Sequence, residues 1–339
     1  MRPIGIIANP ASGKDIRRLV ASGTVFSNQE KINIIVRAIL AMDAMGVERV
    51  VIMPDPSHMA ERVIKKLRSR LSTTCVEVLE LPYLLGTWQD TVQSVGAMRD
   101  LDCASVVVMG GDGTSRVAAK ASDDMPLIPV STGTNNVFPQ LVEGTLVGLA
   151  AAAVATGAVA SGAACARAPR LELSIDGEFR DIALVDLAVV DAANTAARAV
   201  WDPLAIKEIF LTCVSASNIG LSAIGGFLPG VEIGEDEMLH VTLGDGGLEV
   251  MAPIAPGLLS RLSVTSYEKV RSCEVVRVSN RSAMVALDGE REIAILDGQD
   301  ADIRLSRRGP VVVNIHKALR LAVASGNYCR DLPQSFAVA

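Results

Sequence analysis

The sequence predicts an N-terminal α/β domain with a doubly wound parallel sheet, residues 1–160, followed by a β-rich, sandwich-like domain, residues 161–339. Three observations lead to this prediction. The chain has 339 residues, enough for two domains of ordinary size. Half of its residues are apolar and 21% are charged, so it can bury substantial cores. Its first half alternates strand and helix patterns, whereas its second half contains closely spaced short strand patterns.

The strands predicted in the first half are short apolar runs at residues 5–8, 49–53, 75–81, 104–109 and 127–130. Between them, Ser27 and Glu30 have the spacing of a capping box and predict a helix that ends near Gly46. Thr87 and Asp90 predict a second helix start. Strands and helices in alternation imply right-handed crossovers and a parallel sheet, which binds ligands beyond the carboxyl ends of its strands.

The second half changes character after about residue 165. Asp176-Gly177 predicts a hairpin turn. Short strands are predicted at residues 182–190, 207–214, 239–243, 262–265, 275–278, 283–287 and 293–296. Residues 311–315 predict the last strand of this domain, and Lys317–Ala324 predicts a helix that packs back on the first domain.

The segment Gly144–Ala166 contains no charged residue, but it is mostly Ala, Gly, Ser and Thr. A buried Ala-rich helix followed by a small-residue linker is therefore predicted, rather than a membrane span.

Composition argues against several classes of partner. Aromatic residues make up 3% of the chain, and 32 basic residues face 38 acidic ones, so we expect no nucleic-acid partner. No basic amphipathic helix is evident, so we expect no membrane partner. Six dispersed cysteines and three isolated histidines favour reduced thiols and no zinc site. The N-terminus lacks the pattern of a secretory signal, which favours a cytoplasmic location.

The strongest local motif follows the strand at residues 104–109. Gly110, Gly111 and Gly113 lead into a helical pattern, where free amides and the helix dipole can hold a phosphate chain. Asp112 is unexpected in an anion site unless it orients a proton, a metal ion or a hydroxyl group. An ordinary loop between strand and helix is the alternative.

Two further loops of polar, glycine-containing composition follow predicted strands. The loop after residues 5–8 supplies Asn9, Ser12, Gly13 and Lys14, and it is shorter than a P-loop. The loop at residues 131–139 supplies asparagines that either recognise a ribose or amide group or cap the next helix. Its candidate residues are Thr134, Asn135 and Asn136.

Taken in order, these motifs resemble the ATP-NAD kinase family, which belongs to a superfamily with the diacylglycerol and sphingosine kinases. Residues 110–114 look like the shared Gly-Gly-Asp-Gly-Thr signature. Residues 252–261 are similar to the Thr-Pro-Ile-x-Pro-His-x-Leu-Ser-x-Arg run of NAD kinases. Residues 286–290 match a late Asp-Gly element in its lipid-kinase form, Asp-Gly-Glu. Together with the two other loops, they are most similar to the AcoX-type proteins of acetoin catabolism.

The chain departs from NAD kinases at two places. Residues 221–226 resemble their Leu-Ser-Ala-Gly-Gly stretch, but the preceding Thr-Ala-Tyr reads Ser217-Asn218-Ile219, without the aromatic residue. Gly257 replaces the histidine of the Pro-His run. The acceptor is therefore left open between NAD and a related small molecule.

The resemblance implies ATP-dependent phosphoryl transfer to a hydroxyl group, in a cleft between the two domains, with Mg²⁺ carried on the nucleotide. Asp112 is the expected base. The expected phosphate ligands are Asn9, Ser12, Gly13, Lys14, Gly110, Gly111, Gly113 and Thr114. The expected substrate residues are Thr134, Asn135, Asn136, Asn218, Asp288 and Glu290.

Several of these expectations have an alternative. Asp288 and Glu290 are expected to hold a magnesium-bound water or to position the acceptor, with a simple hairpin turn at residues 288–289 as the alternative. The family also implies a homodimer or homotetramer. Two other functions stay open: an accessory or regulatory nucleotide-binding protein of acetoin catabolism without kinase activity, and a diacylglycerol-type lipid kinase.

Overall fold

The computed structural model describes residues 1–12, 26–133, 135–191, 205–279 and 282–329, except the side chains of Ser161 and of residues 290–292. The first half alternates strands and helices. In chain order its elements are β1 (Ile4–Ala8), α1 (Asn28–Ala44), β2 (Arg49–Ile52), α2 (Met59–Leu67), β3 (Cys75–Val78), α3 (Trp88–Asp100), β4 (Ser105–Gly110), α4 (Asp112–Ser122), β5 (Leu127–Ser131) and α5 (Gly144–Ala155).

The second half is dominated by strands. Its elements are α6 (Ser161–Ala164), β6 (Cys165–Arg167), β7 (Arg170–Ile175), β8 (Glu178–Ala183), β9 (Asp186–Asp191), β10 (Ile206–Leu211), α7 (Leu221–Gly226), β11 (Glu237–Ala255), β12 (Leu258–Arg271), β13 (Val275–Arg277), β14 (Ala283–Leu287), β15 (Glu290–Ile295), β16 (Ala301–Ser306), β17 (Val311–Val313) and α8 (Ile315–Ala324).

The first sheet contains seven strands of the described residues, in the order β3-β2-β1-β4-β5-β17-β6. Strands β1 to β5 pair in parallel with their neighbours in this order. Successive side chains of a strand enter opposite cores: Ile6 packs in a core with α1, α2 and α5, and Ile7 packs in another with α3 and α4. Helices therefore cover both faces, which confirms the predicted doubly wound α/β domain.

Local capping explains where two helices begin. The Ser27 side chain accepts a hydrogen bond from the amide of Glu30 and caps α1. Thr87 and Asp90 form a reciprocal capping box at the start of α3. Both predicted helix starts are confirmed. They could be predicted from the sequence because capping depends on residues only three positions apart.

Helix α5 is the buried Ala-rich helix predicted for the uncharged segment, and it packs closely on α1. A Cβ atom added at Gly148 would lie only 2.1 Å from the carbonyl oxygen of Ala38. Small residues thus allow the two backbones to approach. In the described part of the chain, no helix is both long and apolar enough to cross a membrane.

The C-terminal unit contains two antiparallel sheets, counted within the described ranges: β12-β11-β10-β9-β14-β15 and β13-β16-β7-β8. Side chains of both sheets share one core, which includes Leu173, Leu187, Phe210, Val285 and Ile303. The predicted β-rich, sandwich-like domain is therefore confirmed.

Three details of the second half differ from the prediction. The run at residues 182–190 is divided between β8 and β9. Strands β11 and β12 extend over 19 and 14 residues, because their hairpin continues past a register shift between Leu243 and Leu248. This irregularity interrupts the apolar–polar alternation by which the sequence predicts strands, so the predicted strands were too short. Residues 311–313 pair in parallel with β5 and so extend the first sheet, not the sandwich.

The end of the chain completes the first unit. β17 also pairs with β6, in antiparallel orientation. Helix α8 begins at Ile315, two residues before the predicted start. Its buried residues Ile315, Ala318 and Ala322 lie in the same core as α1 and α5. The chain therefore returns to the N-terminal sheet after passing through the β-rich unit.

Candidate active site

Three loops meet at the carboxyl edge of the first sheet. β4 lies between β1 and β5, and the register pairs Ala8 with Met109 and Gly110 with Ser131. The segments that follow these strands, residues 9–12, 111–114 and 132–138 without Thr134, therefore leave the sheet side by side. This arrangement brings together residues from all three sequence motifs.

Side-chain hydrogen bonds tie the first loop to the other two. Asn9 Nδ2 donates to Thr114 Oγ1 over 3.1 Å, and Asn9 Oδ1 accepts from the amide of Ala11. Ser12 Oγ lies 3.0 Å from Thr132 Oγ1. Of the candidates in the first loop, Asn9 and Ser12 thus lie at the junction. Gly13, Lys14 and, in the third loop, Thr134 lie outside the described residues.

Lys31 on α1 also belongs to this junction, although sequence reasoning did not select it. Its side chain is fully buried. Nζ donates to the carbonyl oxygens of Asn9, over 2.8 Å, and Ser12, over 2.7 Å, and to Asn28 Oδ1. No signal in the sequence identified Lys31, because the burial of its charge and the polar environment that this burial needs appear only in the tertiary contacts.

Close packing explains the glycines of the second loop. A Cβ atom at Gly110 would lie 2.4 Å from the Cβ of Thr114, and one at Gly111 would lie 2.8 Å from Asn136 Oδ1. Gly111 is the N-cap residue of α4. The amides of the first turn have no partner within the helix, and together with the helix dipole they favour an anion.

The carboxylate of Asp112 lies in the first turn of α4 and faces the third loop. Oδ1 accepts from the amides of Val137, over 3.1 Å, and Phe138, over 2.8 Å, and Oδ2 lies 3.2 Å from the Val137 amide. The side chain is half-buried, so it is neither packed into the sheet nor extended into solvent. These bonds hold the carboxylate at the junction of the loops.

The asparagines of the third loop and of the α7 region have different surroundings. Asn136 Nδ2 donates to Ser131 Oγ over 2.8 Å and supports the loop from inside. Asn135 is half-buried in the same loop. Asn218 lies between β10 and α7, where its Nδ2 donates to Ser222 Oγ over 3.2 Å.

The structure gives Asp288 a structural position, which differs from the expected contact with a magnesium-bound water or the acceptor. Its side chain is fully buried. Its oxygens accept from the amides of Leu184, Val185 and Asp186. Burial raises the pKa of this carboxyl group, while the charge of Arg116 and the three amides oppose the rise. In this structure the carboxylate is therefore a partner of Arg116 and of three backbone amides.

Residues 288–289 form a hairpin turn, which was the alternative expectation. Both have positive φ angles, 50° at Asp288 and 83° at Gly289, and they connect β14 with β15. Glu290 pairs with Leu287 through the backbone at the start of β15. Among the residues that the structure describes, no three His, Cys, Asp or Glu side chains gather as a possible metal site.

A cavity of about 460 Å³ lies beside the third loop, between the two units. Its lining includes Phe138, whose amide binds Asp112, and Thr212, Cys213, Val313 and Asn314. Burial, with smaller contributions from nearby carboxylates, raises the pKa of the Cys213 thiol to about 11, so this thiol is neutral at physiological pH. The cavity is large enough for a small molecule.

Comparisons with known proteins agree with this architecture. The model of the ATP-NAD kinase N-terminal domain matches residues 4–157, and that of the acetoin catabolism protein X C-terminal domain matches residues 169–308. Acetoin catabolism protein X of Cupriavidus necator is 35% identical, over 99% of this chain and 96% of that protein.

The crystal structure of yeast NADH kinase complexed with NADH has the same overall fold. Its TM-score is 0.52 at 13% identity, over 99% of this chain and 90% of the yeast chain. From the full-length identity and the two domain matches, the chain belongs to the acetoin catabolism protein X family, with an N-terminal domain of the ATP-NAD kinase type.

Proposed function

We propose that the protein is an ATP-dependent phosphotransferase whose acceptor is a hydroxyl group of NAD or of a related small molecule. One observation carries this proposal: the Asp112 carboxylate lies in the glycine-rich first turn of α4, where three strand-end loops meet. An acid at an anion-binding helix start fits a group that accepts or orients a proton next to a phosphate.

The phosphate chain would bind at the first-turn amides of α4, beside Thr114, Asn9 and Ser12. Lys31 contributes a fixed positive charge under the first loop. Phosphoryl transfer depends mainly on positioning and on charge stabilisation, and these groups supply both. Magnesium would arrive on the nucleotide and neutralise part of the phosphate charge.

Asp112 would accept the proton of the acceptor hydroxyl as the phosphoryl group is transferred. The amides of Val137 and Phe138 hold its carboxylate in one orientation, which reduces the reorganisation needed before proton transfer. The neighbouring cavity, whose wall includes Phe138, is the proposed location of the acceptor.

The test replaces Asp112 with Asn, which keeps the size of the side chain but removes its basicity. We expect ATP binding, measured by calorimetry, to stay near that of the wild type. Turnover, measured as ATP consumption with and without NAD, should fall by about a hundredfold or more. Asp100→Asn, at an exposed position on α3, is the control. Unchanged turnover in Asp112→Asn would remove the proposed base.

A second candidate is an accessory nucleotide-binding protein without kinase activity. The burial of Asp288 favours it, because this residue was the other acid expected to act on the ligands. This candidate predicts calorimetric binding of ATP with no consumption for any hydroxyl acceptor. ATP consumption that depends on an acceptor and on Asp112 would exclude it.

A further inference from the structure

A buried cluster of charged side chains connects α4 to the β-rich unit. Arg116 lies one helical turn after Asp112 and is fully buried. Its Nη1 donates to Asp181 Oδ2 over 3.0 Å, and its Nε lies 3.8 Å from Asp288 Oδ2. Lys120 Nζ, one turn further along, donates to Asp181 Oδ2 over 2.7 Å. Two cations on one helix thus face two carboxylates.

The two carboxylates belong to different sheets of the sandwich. Asp181 lies on β8, in the four-stranded sheet, and Asp288 lies in the turn between β14 and β15, in the six-stranded sheet. Asp288 also accepts hydrogen bonds from the amides of Leu184 and Val185, between β8 and β9, and of Asp186, the first residue of β9. One guanidinium group is therefore in contact with both sheets.

The contacts of α4 divide between the two units. Its first turn binds the N-terminal loops, because Asp112 accepts from Phe138 and Thr114 accepts from Asn9. Its second turn binds the β-rich unit through Arg116. If α4 shifted relative to the sandwich, Asp112 would change its distance from the β-rich unit. Its hydrogen bonds to the loops of the first unit could stay intact.

Buried ion pairs also impose a defined geometry. Removing one partner leaves an uncompensated charge away from water, which is strongly unfavourable. Arg presents its donors in a fixed plane, a geometry that Lys does not reproduce. Here Nη1 of Arg116 bonds to Asp181, and Nε faces Asp288 as an ion pair. The cluster therefore allows few positions of α4 relative to the two carboxylates.

We propose that Arg116 is a positioning residue that sets the place of Asp112 relative to the β-rich unit by engaging Asp181 and Asp288. Its catalytic consequence rests on the proposed function, in which the cavity between the units holds the acceptor. The coupling of the two units by Arg116 does not depend on that function.

The test compares Arg116→Met, Arg116→Lys, Asp288→Asn and the double variant Arg116→Met/Asp288→Asn, with Arg99→Met at an exposed ion pair on α3 as control. Thermal unfolding is followed by calorimetry. We expect one cooperative transition for the wild type and Arg99→Met, and two for Arg116→Met, because the units then unfold separately. The double variant should lose less stability than the two single changes together.

Kinetics provide a readout that a purely structural role would not move. In Arg116→Met we expect kcat to fall by about tenfold or more while the affinity for ATP stays close to that of the wild type. Arg116→Lys, which keeps the charge, should fold if Arg116→Met does not, and it should show a smaller loss of kcat with the same unchanged ATP affinity.

Two outcomes would overturn the proposal. The first is a single unfolding transition together with an unchanged kcat in Arg116→Met. The second is an equal loss of kcat and of ATP affinity in whichever Arg116 variant folds. If the wild type consumes no ATP with any acceptor, the proposed function fails. The calorimetric comparison alone then decides the coupling role: a single transition in the variant that folds, with additive effects in the double variant, would overturn it.

Discussion

Replacing Gly110 with Ala tests the close packing on which the candidate site depends. The new Cβ would lie 2.4 Å from Thr114 Cβ and 2.5 Å from Thr114 Oγ1. The position of Thr114 Cβ is fixed by the backbone, so a rotamer change of Thr114 does not remove the clash. Either the end of β4 or the start of α4 has to move by about 1 Å to restore an ordinary contact.

The magnitude follows from two opposing effects. Overpacking of this kind costs about 1–3 kcal/mol, and a strained or lost Asn9–Thr114 hydrogen bond adds about 1 kcal/mol. The lower unfolded-state entropy of Ala offsets up to about 1 kcal/mol. We therefore expect Gly110→Ala to lower the free energy of unfolding by about 1–3 kcal/mol.

The matched control is Gly96→Ala in the interior of α3, where, apart from the adjoining residues and the backbone of that helix, no atom of the described residues lies within 4 Å of the added Cβ. Its better helix propensity should stabilise the protein by up to about 1 kcal/mol. Urea unfolding followed by circular dichroism measures both variants. If Gly110→Ala were as stable as Gly96→Ala, the close approach of β4 and α4 would not constrain this loop, and our reasoning would be wrong.

Two further predictions concern Lys31 and Asp43. In Lys31→Met, we expect the affinity for adenosine, AMP, ADP and ATP, each measured by calorimetry, to fall more with every added phosphate, because the lost charge acts on phosphates. Lys31→Arg, which keeps the charge, is the control. An equal loss of affinity for all four ligands would contradict an electrostatic role. Desolvation raises the pKa of the Asp43 carboxyl, but hydrogen bonds from the amides of residues 72–74 outweigh it and hold the pKa well below its usual range. The stability that Asp43 contributes is therefore complete above the unfolded-state pKa of about 4 and is lost as the pH falls towards the native pKa. Asp43→Asn should lower the melting temperature at neutral pH, and this difference should shrink in acid; a pH-independent difference would contradict the assignment.

Features that depend on neighbouring residues could be read from the sequence. The caps at Ser27 and Thr87 act over three residues, and the apolar runs of β1 to β5 identify strands covered on both faces. Parallel strands place their following loops on one edge of the sheet, so the sequence predicted the edge at which Asn9, Asp112 and Asn136 lie. That these loops are neighbours depends on the strand order β1-β4-β5, which only the structure shows.

Features that depend on distant contacts could not be read in this way. The pattern of residues 311–315 indicates a strand but not its partner, and pairing with β5 moved it to the first sheet. Lys31 reads as one charge in a helix until its bonds to the first loop are seen. Asp288 fits a family motif, but burial decides whether it is available to a ligand.

The amino-acid sequence alone determined the fold class, the three loops of the candidate site and the family, because these depend on periodicity, on local capping and on short ordered motifs. Only the tertiary structure decided that Asp288 is a buried counter-ion and that Arg116 connects the helix of Asp112 to both sheets of the sandwich. Burial and charge pairing are set by residues far apart in the chain, and their effects on a carboxylate appear only when the surrounding dielectric and partners are known.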